Sequence, residues 1–362
     1  MSVAATRHGT TGIVRPFESR VVRQEWAAQV VAPMVDALAR GERRRHPDAF
    51  HEAYEHSPPA LFVYRMRSRA EEHVGVVAEV RLDAFVSGAV RGHESVEPDR
   101  VDALVRQHTA ALGRSELVAL LHARRPAATR HIADACGGRP LLQFRGTDGL
   151  EHTVWRVADE QGTGSLAAAL SHGVQYIADG HHRVAARLRV WEQAGRPAGS
   201  GVICVLFPME ALRLSAFHRR IAGPVDATLL LDAASADFAV REVTGAEHPT
   251  GIAMYVAGHW YDLTHHGTRP EGSAGLDAAV LQSRILGPVL GIGEPGHPRL
   301  EVVPAHVPIQ DLTSRCEKDG GALFVLKPPP LQQLVGIADR GEVTPPKTTY
   351  FAPKPYAGIF LT

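Results

Sequence analysis

Asp179-Gly180-His181-His182-Arg183 puts a carboxylate, two imidazoles and a guanidinium within five consecutive residues. They sit between Val174-Gln175-Tyr176-Ile177-Ala178, which reads as a strand, and Val184 to Ala194, which reads as a helix. Polar groups placed directly after an apolar strand are costly to bury unless partners are supplied. Gly180 allows a tight turn between the two elements. The helix then begins with its free N–H groups facing whatever lies above the strand end, which makes an anion site. Arg183 adds a planar, permanently charged donor suited to phosphate. His181 and His182 add donors able to carry protons. Asp179 can hold a Mg²⁺ ion or fix a histidine tautomer. The plainer alternative is a helix start capped by Asp179, with the histidines satisfied locally.

A second cluster lies near the end of the chain. Only four of the 39 basic residues are lysine: Lys318, Lys327, Lys347 and Lys354, all within the last 45 positions. Two of them fall in Pro345-Pro346-Lys347-Thr348-Thr349-Tyr350-Phe351-Ala352-Pro353-Lys354. A flexible ammonium serves as a point charge for phosphate, and the prolines stiffen the backbone that carries it. This tail reads as a wall or lid of a site. The alternative is a strand packed on the main domain with its lysines outward. His218 and Arg219 form a weaker basic pair that follows the same α/β unit and can face the same pocket.

The elements that must position these groups follow from periodicity and turn chemistry. Val30 to Arg45 has helical spacing, extended by the neighbours of His51. Leu61 to Met66 and Val74 to Val80 read as a hairpin. Pro98 to Leu112 is a helix that Ser95 can cap, and Leu117 to His122 a strand. Arg124 to Gly138 holds a short helix, His152 to Val157 a strand, and Ser165 to His172 a short helix. Gly201 to Phe207 is an uninterrupted apolar run of buried-strand type. Gly223-Pro224 marks a boundary. Late elements are strands at Ala322 to Leu326 and Gly358 to Leu361 and a helix at Leu331 to Ile337.

The 362 residues suggest two domains, or one large one with additions. The 44% hydrophobic and 22% charged residues are those of a folded globular chain. Equal counts of basic and acidic residues, 39 each, argue against a general nucleic-acid coat. No apolar run reaches the ~18–20 residues that cross a bilayer, and the first residues lack an apolar signal core. Cys136, Cys204 and Cys316 are odd in number and far apart, which points to a reduced, cytoplasmic setting.

Several tempting patterns fail. Gly291 to Gly296 matches a dinucleotide fingerprint literally, but Pro295 sits inside it, so it reads as a turn. His51 and His56 stand five apart, about 140° round a helix at ~100° per residue, too far to share a metal; they read as a solvated helix face. His265-His266 reads as a surface loop. There is no Walker-type phosphate loop and no nucleophile elbow.

The box at 179–183 resembles the central motif of the ParB/sulfiredoxin-like superfamily, in which a loop at a helix N-terminus binds nucleotide phosphates. The wider pattern resembles the DUF1015 family. The matching stretches are Val14-Arg15-Pro16-Phe17, Gly75-Val76-Val77-Ala78, Arg91-Gly92-His93-Glu94-Ser95, the box itself, Ala216-Phe217-His218-Arg219, and Gly341 to Lys354. One departure is that Ala32-Pro33-Met34-Val35-Asp36 stands where the family has Pro-Pro-Tyr-Asp.

The resemblance implies a mixed α/β fold. A ParB-like nucleotide-binding core over 75–222 would be flanked by an N-terminal segment, 1–74, and a C-terminal α+β region, 223–362. It also implies kinship with free serine kinases: Mg²⁺-dependent phosphoryl transfer from ATP or ADP to the hydroxyl of a small molecule such as serine. Carried over, Glu94 becomes the base with His93 its neighbour, and Asp179 the metal and catalytic carboxylate. Gly180, His181, His182, Arg183, His218, Arg219, Lys347, Thr348 and Lys354 become phosphate contacts. Phosphoryl transfer needs positioning, charge neutralisation and a carboxylate near the attacking hydroxyl. The alternative is a nucleotide-binding regulatory protein without turnover. Sulfiredoxin chemistry is disfavoured because His181 stands where the cysteine would be. DNA clamping is disfavoured because no basic recognition helix follows Arg220.

Overall fold

In a computed structural model of the protein, the residues described are 12–29, 31, 52–110, 117–157, 159–246, 251–293 and 296–362. They form a mixed α/β protein, as the residue pattern implies, divided into two compact units. One unit comprises described residues of 1–91, 96–213 and 353–362; the other comprises 92–95 and 214–352. The helix expected over Val30 to Arg45 and the departure at Ala32 to Asp36 lie, apart from Val31, outside the described residues.

The first unit's strands are β1 (Val14–Arg15), β2 (Phe17–Val22), β3 (Tyr54–Ala60), β4 (Phe62–Arg67), β5 (Glu72–Arg81), β6 (Val90–Arg91), β7 (Val118–His122), β8 (Leu142–Arg145), β9 (Glu151–Arg156), β10 (Gln175–Asp179) and β11 (Gly201–Pro208). Nine of them make one sheet, ordered β6-β10-β7-β11-β5-β4-β9-β8 with β1 on β5. The expected hairpin is β4–β5, closed by the Ser68 hydroxyl, which accepts from the N–H groups of Ala70 and Glu71. β5 and β11 are central and apolar on both faces, as their unbroken hydrophobic runs require. Val76, Ala78, Leu120, Ile177 and Leu206 are buried in the core on this sheet.

Tyr54–Ala60 is a strand, not the helix face expected of the segment after His51; His51 itself lies outside the described residues. Pro58 and Pro59 forbid a helix, and β3 can hold them because it is the outer strand of a small sheet with β2 and Phe360–Leu361. The helix expected from Ser165 begins instead at Glu160. The Asp159 side chain accepts from the Gly162 N–H, and this cap outweighs the poor helix propensity of Gly162 and Gly164.

The second unit is a seven-stranded sheet of β12 (Arg213–Ile221), β13 (Phe238–Val243), β14 (Ile252–Val256), β15 (His259–His265), β16 (Leu300–Pro304), β17 (Ala322–Val325) and β18 (Thr349–Ala352). Its order is β13-β15-β14-β17-β12-β16, with β18 on β12. Phe238, Met254, Leu281 and Phe324 fill its core. His265 ends β15, paired opposite Phe238, rather than lying in a loop. Gly291 and Gly296 both have positive φ, in keeping with turns.

Gly75 on β5 is demanded by packing. A Cβ there would stand 2.8 Å from the Phe207 ring and 2.8 Å from Val205 on β11. Gly75→Val is expected to destabilise the protein by about 1–3 kcal/mol through overpacking. Phe207→Leu in the same chain should recover part of that loss in denaturant unfolding.

Candidate functional site

The segment 179–183 is a strand-to-helix junction rather than a loop: Asp179 ends β10, and the helix expected from Val184 begins three residues earlier, at His181. Against β7, β10 shifts register between Ile177 and Asp179, an irregularity that re-aims the last side chain. Gly180 follows with φ +106 and is the N-cap of the helix His181–Gln193. No side chain caps that helix, so Asp179 is not the cap that the plainer sequence reading required. A Cβ at Gly180 would lie 3.2 Å from the Arg183 guanidinium, so the glycine answers both to its backbone angle and to the close approach of Arg183.

Asp179 instead joins two cations. The Arg183 guanidinium donates to one carboxylate oxygen and the Lys354 ammonium to the other. Arg183 also donates to the Leu117 carbonyl, which pins the guanidinium at the start of β7. Burial alone would raise the Asp179 carboxyl; Arg183 and Lys354 outweigh it and hold the group well below the usual carboxylate range. Two positive charges on one carboxylate leave the cluster positive beside a helix N-terminus, an arrangement that attracts an anion. His182 accepts the Glu97 N–H on Nε2 at 3.0 Å, and His181 is buried.

Lys354 is delivered by an aromatic anchor. Tyr356, two residues on, donates its N–H to the Tyr64 hydroxyl at 3.2 Å and lays its ring 4.1 Å from that of His152. The Tyr64 hydroxyl bonds His152 Nδ1 at 2.6 Å, and His152 Nε2 lies 3.2 Å from Asp148. Phe360 then packs on Phe62 and Phe17.

The remaining candidates are in the second unit. Glu94 pairs with Thr344 in an isolated parallel bridge, and its side chain accepts the Lys347 N–H at 3.3 Å. Lys347 is in the left-handed region, φ +58, which is strained for a side chain with a Cβ. Its carbonyl accepts from Arg219 at 3.0 Å, and its ammonium lies 5.3 Å over the Phe217 ring. Arg219 is buried, donates also to the Phe217, His218 and Pro346 carbonyls, and is lowered to about 10 by burial against the opposing pull of Glu94. It remains charged at neutral pH and its work is to clamp the tail turn. The Thr348 hydroxyl donates to the Pro345 carbonyl inside the same turn. His93 is buried, bonded to the Thr349 hydroxyl at 3.1 Å, and burial lowers it to about 4. His218 is lowered to about 4 by burial and then by Arg219, and its Nδ1 accepts the Leu326 N–H. Both rings are neutral at pH 7.

The residues do not fit the metal role assigned to Asp179. Both of its oxygens are engaged by cations, and among the described residues no group of three His, Cys, Asp or Glu can gather on one ion. A divalent cation there would meet two positive neighbours.

A family model described as "Protein of unknown function (DUF1015)" matches residues 54–283, more than half of the chain. The chain belongs to the DUF1015 family. No curated protein matches this DUF1015 chain. Among solved structures, a C-terminally truncated SbnI from Staphylococcus aureus matches at 13% identity and TM-score 0.43, covering 76% of this chain and 82% of its own. A free serine kinase in complex with AMP matches at 14% identity and TM-score 0.41, covering 77% and 87%. A conserved hypothetical protein from Pyrococcus furiosus matches at 16% and 0.40, covering 78% and 93%.

Sequence reasoning missed the contributions of Leu117, Glu97 and Thr344. All act through backbone atoms, which every residue carries, so their types hold no signal.

The buried histidines set a pH dependence. His93 and His218 bind protons at about 6.5 when unfolded and only at about 4 when folded. The unfolded state therefore takes up more protons on acidification, and stability falls as the pH drops through this window. Between pH 7 and pH 5 the loss is about 2 kcal/mol per histidine. The Asp179 contribution has the same sign in a lower window: its carboxyl is also depressed, so its stabilisation is present above the unfolded carboxylate value of about 4, persists at pH 5 and is lost only below it. Denaturant unfolding at the two pH values is expected to show the loss, and His93→Gln should flatten it by about half.

Proposed function

We propose that this DUF1015 protein binds a nucleotide by its phosphates at Asp179–Arg183 and transfers a phosphoryl group to the hydroxyl of a small molecule. Serine or a serine-like compound is the first acceptor to consider, and ATP or ADP the donor. The first unit is read as a ParB/sulfiredoxin-like core on the strength of the box and its strand–loop–helix setting. The observation that carries the reading is the Asp179 carboxylate held between Arg183 and Lys354 at the start of the helix His181–Gln193. An incoming phosphate competes for these two cations, and the first-turn amides add neutral donors.

Glu94 is the proposed base. In the transfer, the acceptor hydroxyl oxygen forms a bond to the terminal phosphorus. The bond to the bridging oxygen breaks, and the hydroxyl proton passes to the Glu94 carboxylate. Arg219 and the Lys347 turn act as positioning groups that hold Glu94. His93 stays neutral and supports Thr349. Because Asp179 does not suit a metal, Mg²⁺ would be ligated by the nucleotide phosphates rather than by this carboxylate.

A second reading, nucleotide binding without turnover, is favoured by one observation. One oxygen of Glu94 already accepts the Lys347 N–H.

Phosphorus NMR separates the two. Protein with Mg²⁺, ATP or ADP, and serine, threonine or homoserine is expected to give a new phosphomonoester signal, absent in Glu94→Gln. Nucleotide binding in that variant should be retained. Binding without a new ester in the wild-type protein would support the regulatory reading. Lys354→Ala is expected to weaken nucleotide binding about tenfold, as for loss of one charge-assisted contact.

A further inference from the structure

The second unit has a half-open cavity of about 300 Å³ to which none of the residues 179–183 contributes. That is the lower end of the size of small-molecule sites. Its walls carry an unbalanced charge. Asp277, largely buried, accepts from the Arg269 guanidinium on one oxygen and from the Lys327 N–H, at 3.1 Å, on the other. Arg269 thus neutralises Asp277, while the Lys327 ammonium makes no ion pair among the described residues. Lys327 is exposed, so the excess of one positive charge among the lining residues lies where the cavity meets solvent.

The lining also carries a residue type that this chain otherwise avoids. Lysine is rare here: Lys327 is one of four in a chain whose other basic residues are arginine. It opens Lys327-Pro328-Pro329-Pro330, and all four residues line the cavity. Three prolines fix the backbone that carries the ammonium. Leu276, Ala278 and Leu326 add apolar surface to the lining.

We propose that this cavity binds a small organic anion, a carboxylate or a phosphate monoester. Lys327 and the outer donors of Arg269 hold its charge, and the short carbon skeleton lies against the apolar wall. Thr348 is shared with the tail turn, so an occupant would abut the segment that holds Glu94. The proposal does not rest on the phosphoryl-transfer reading, because its test is binding alone.

The experiment uses two probes, propionate followed by proton saturation transfer and inorganic phosphate followed by phosphorus line width. Both are titrated into the wild-type protein, Lys327→Gln, Lys327→Arg and Arg183→Gln. At least one probe is expected to bind the wild-type and Arg183→Gln proteins with equal affinity. Its affinity should fall about tenfold in Lys327→Gln, the loss of one charge-assisted contact, and return in Lys327→Arg. Equal thermal midpoints for Lys327→Gln and the wild type would show that the fold is unchanged. Propionate alone binding assigns a carboxylate, and phosphate alone a phosphate. Failure of both probes, indifference to Lys327→Gln, or no recovery in Lys327→Arg would each overturn the proposal. So would binding lost only in Arg183→Gln, which would place the probe at the proposed nucleotide site.

Discussion

The Asp179 carboxylate is the constraint on which the first unit's chemistry depends. It takes Arg183 from the next helix and Lys354 from the far end of the chain onto its two oxygens. Without it, two cations would sit together at a helix start where the backbone is already electropositive. With it, they are held close and partly neutralised, yet the cluster keeps an excess positive charge. The register shift in β10 and the left-handed Gly180 are the backbone conditions for that pairing.

The second unit solves a comparable problem with a buried guanidinium. Arg219 spends its donors on carbonyls of its own strand and of the Pro346–Lys347 turn. A buried charge is tolerable only when its donors are taken up in this way. The reward is a turn in which Lys347 adopts a strained angle and presents its N–H to Glu94. Strain of that kind persists only when its surroundings over-determine it, and here Arg219 and Glu94 hold opposite ends of one residue.

Much of the architecture was legible from local pattern. β4, β5, β7, β10 and β11 follow from apolar runs bounded by turn signals, and the helix at Pro98 from its start, whereas the helix read from Val184 begins three residues earlier, at His181. Errors arose where a local signal conflicted with a pairing partner or a cap. Tyr54–Ala60 became a strand because β2 was there to receive it. The helix at Glu160 began early because Asp159 capped it. His265 joined β15 because Phe238 stood opposite.

The sequence by itself determined the chemistry available: which residues can carry charge or protons, and that 179–183 falls where a strand gives way to a helix. These are properties of residue type and short-range order, which the chain carries before it folds. Only the tertiary structure decided how those groups are used. Lys354 reaches Asp179 across 175 positions, Arg219 is turned inward to clamp a backbone, and His93 and His218 are made neutral by burial. Such assignments depend on distance and desolvation, quantities that exist only once remote segments have been brought together.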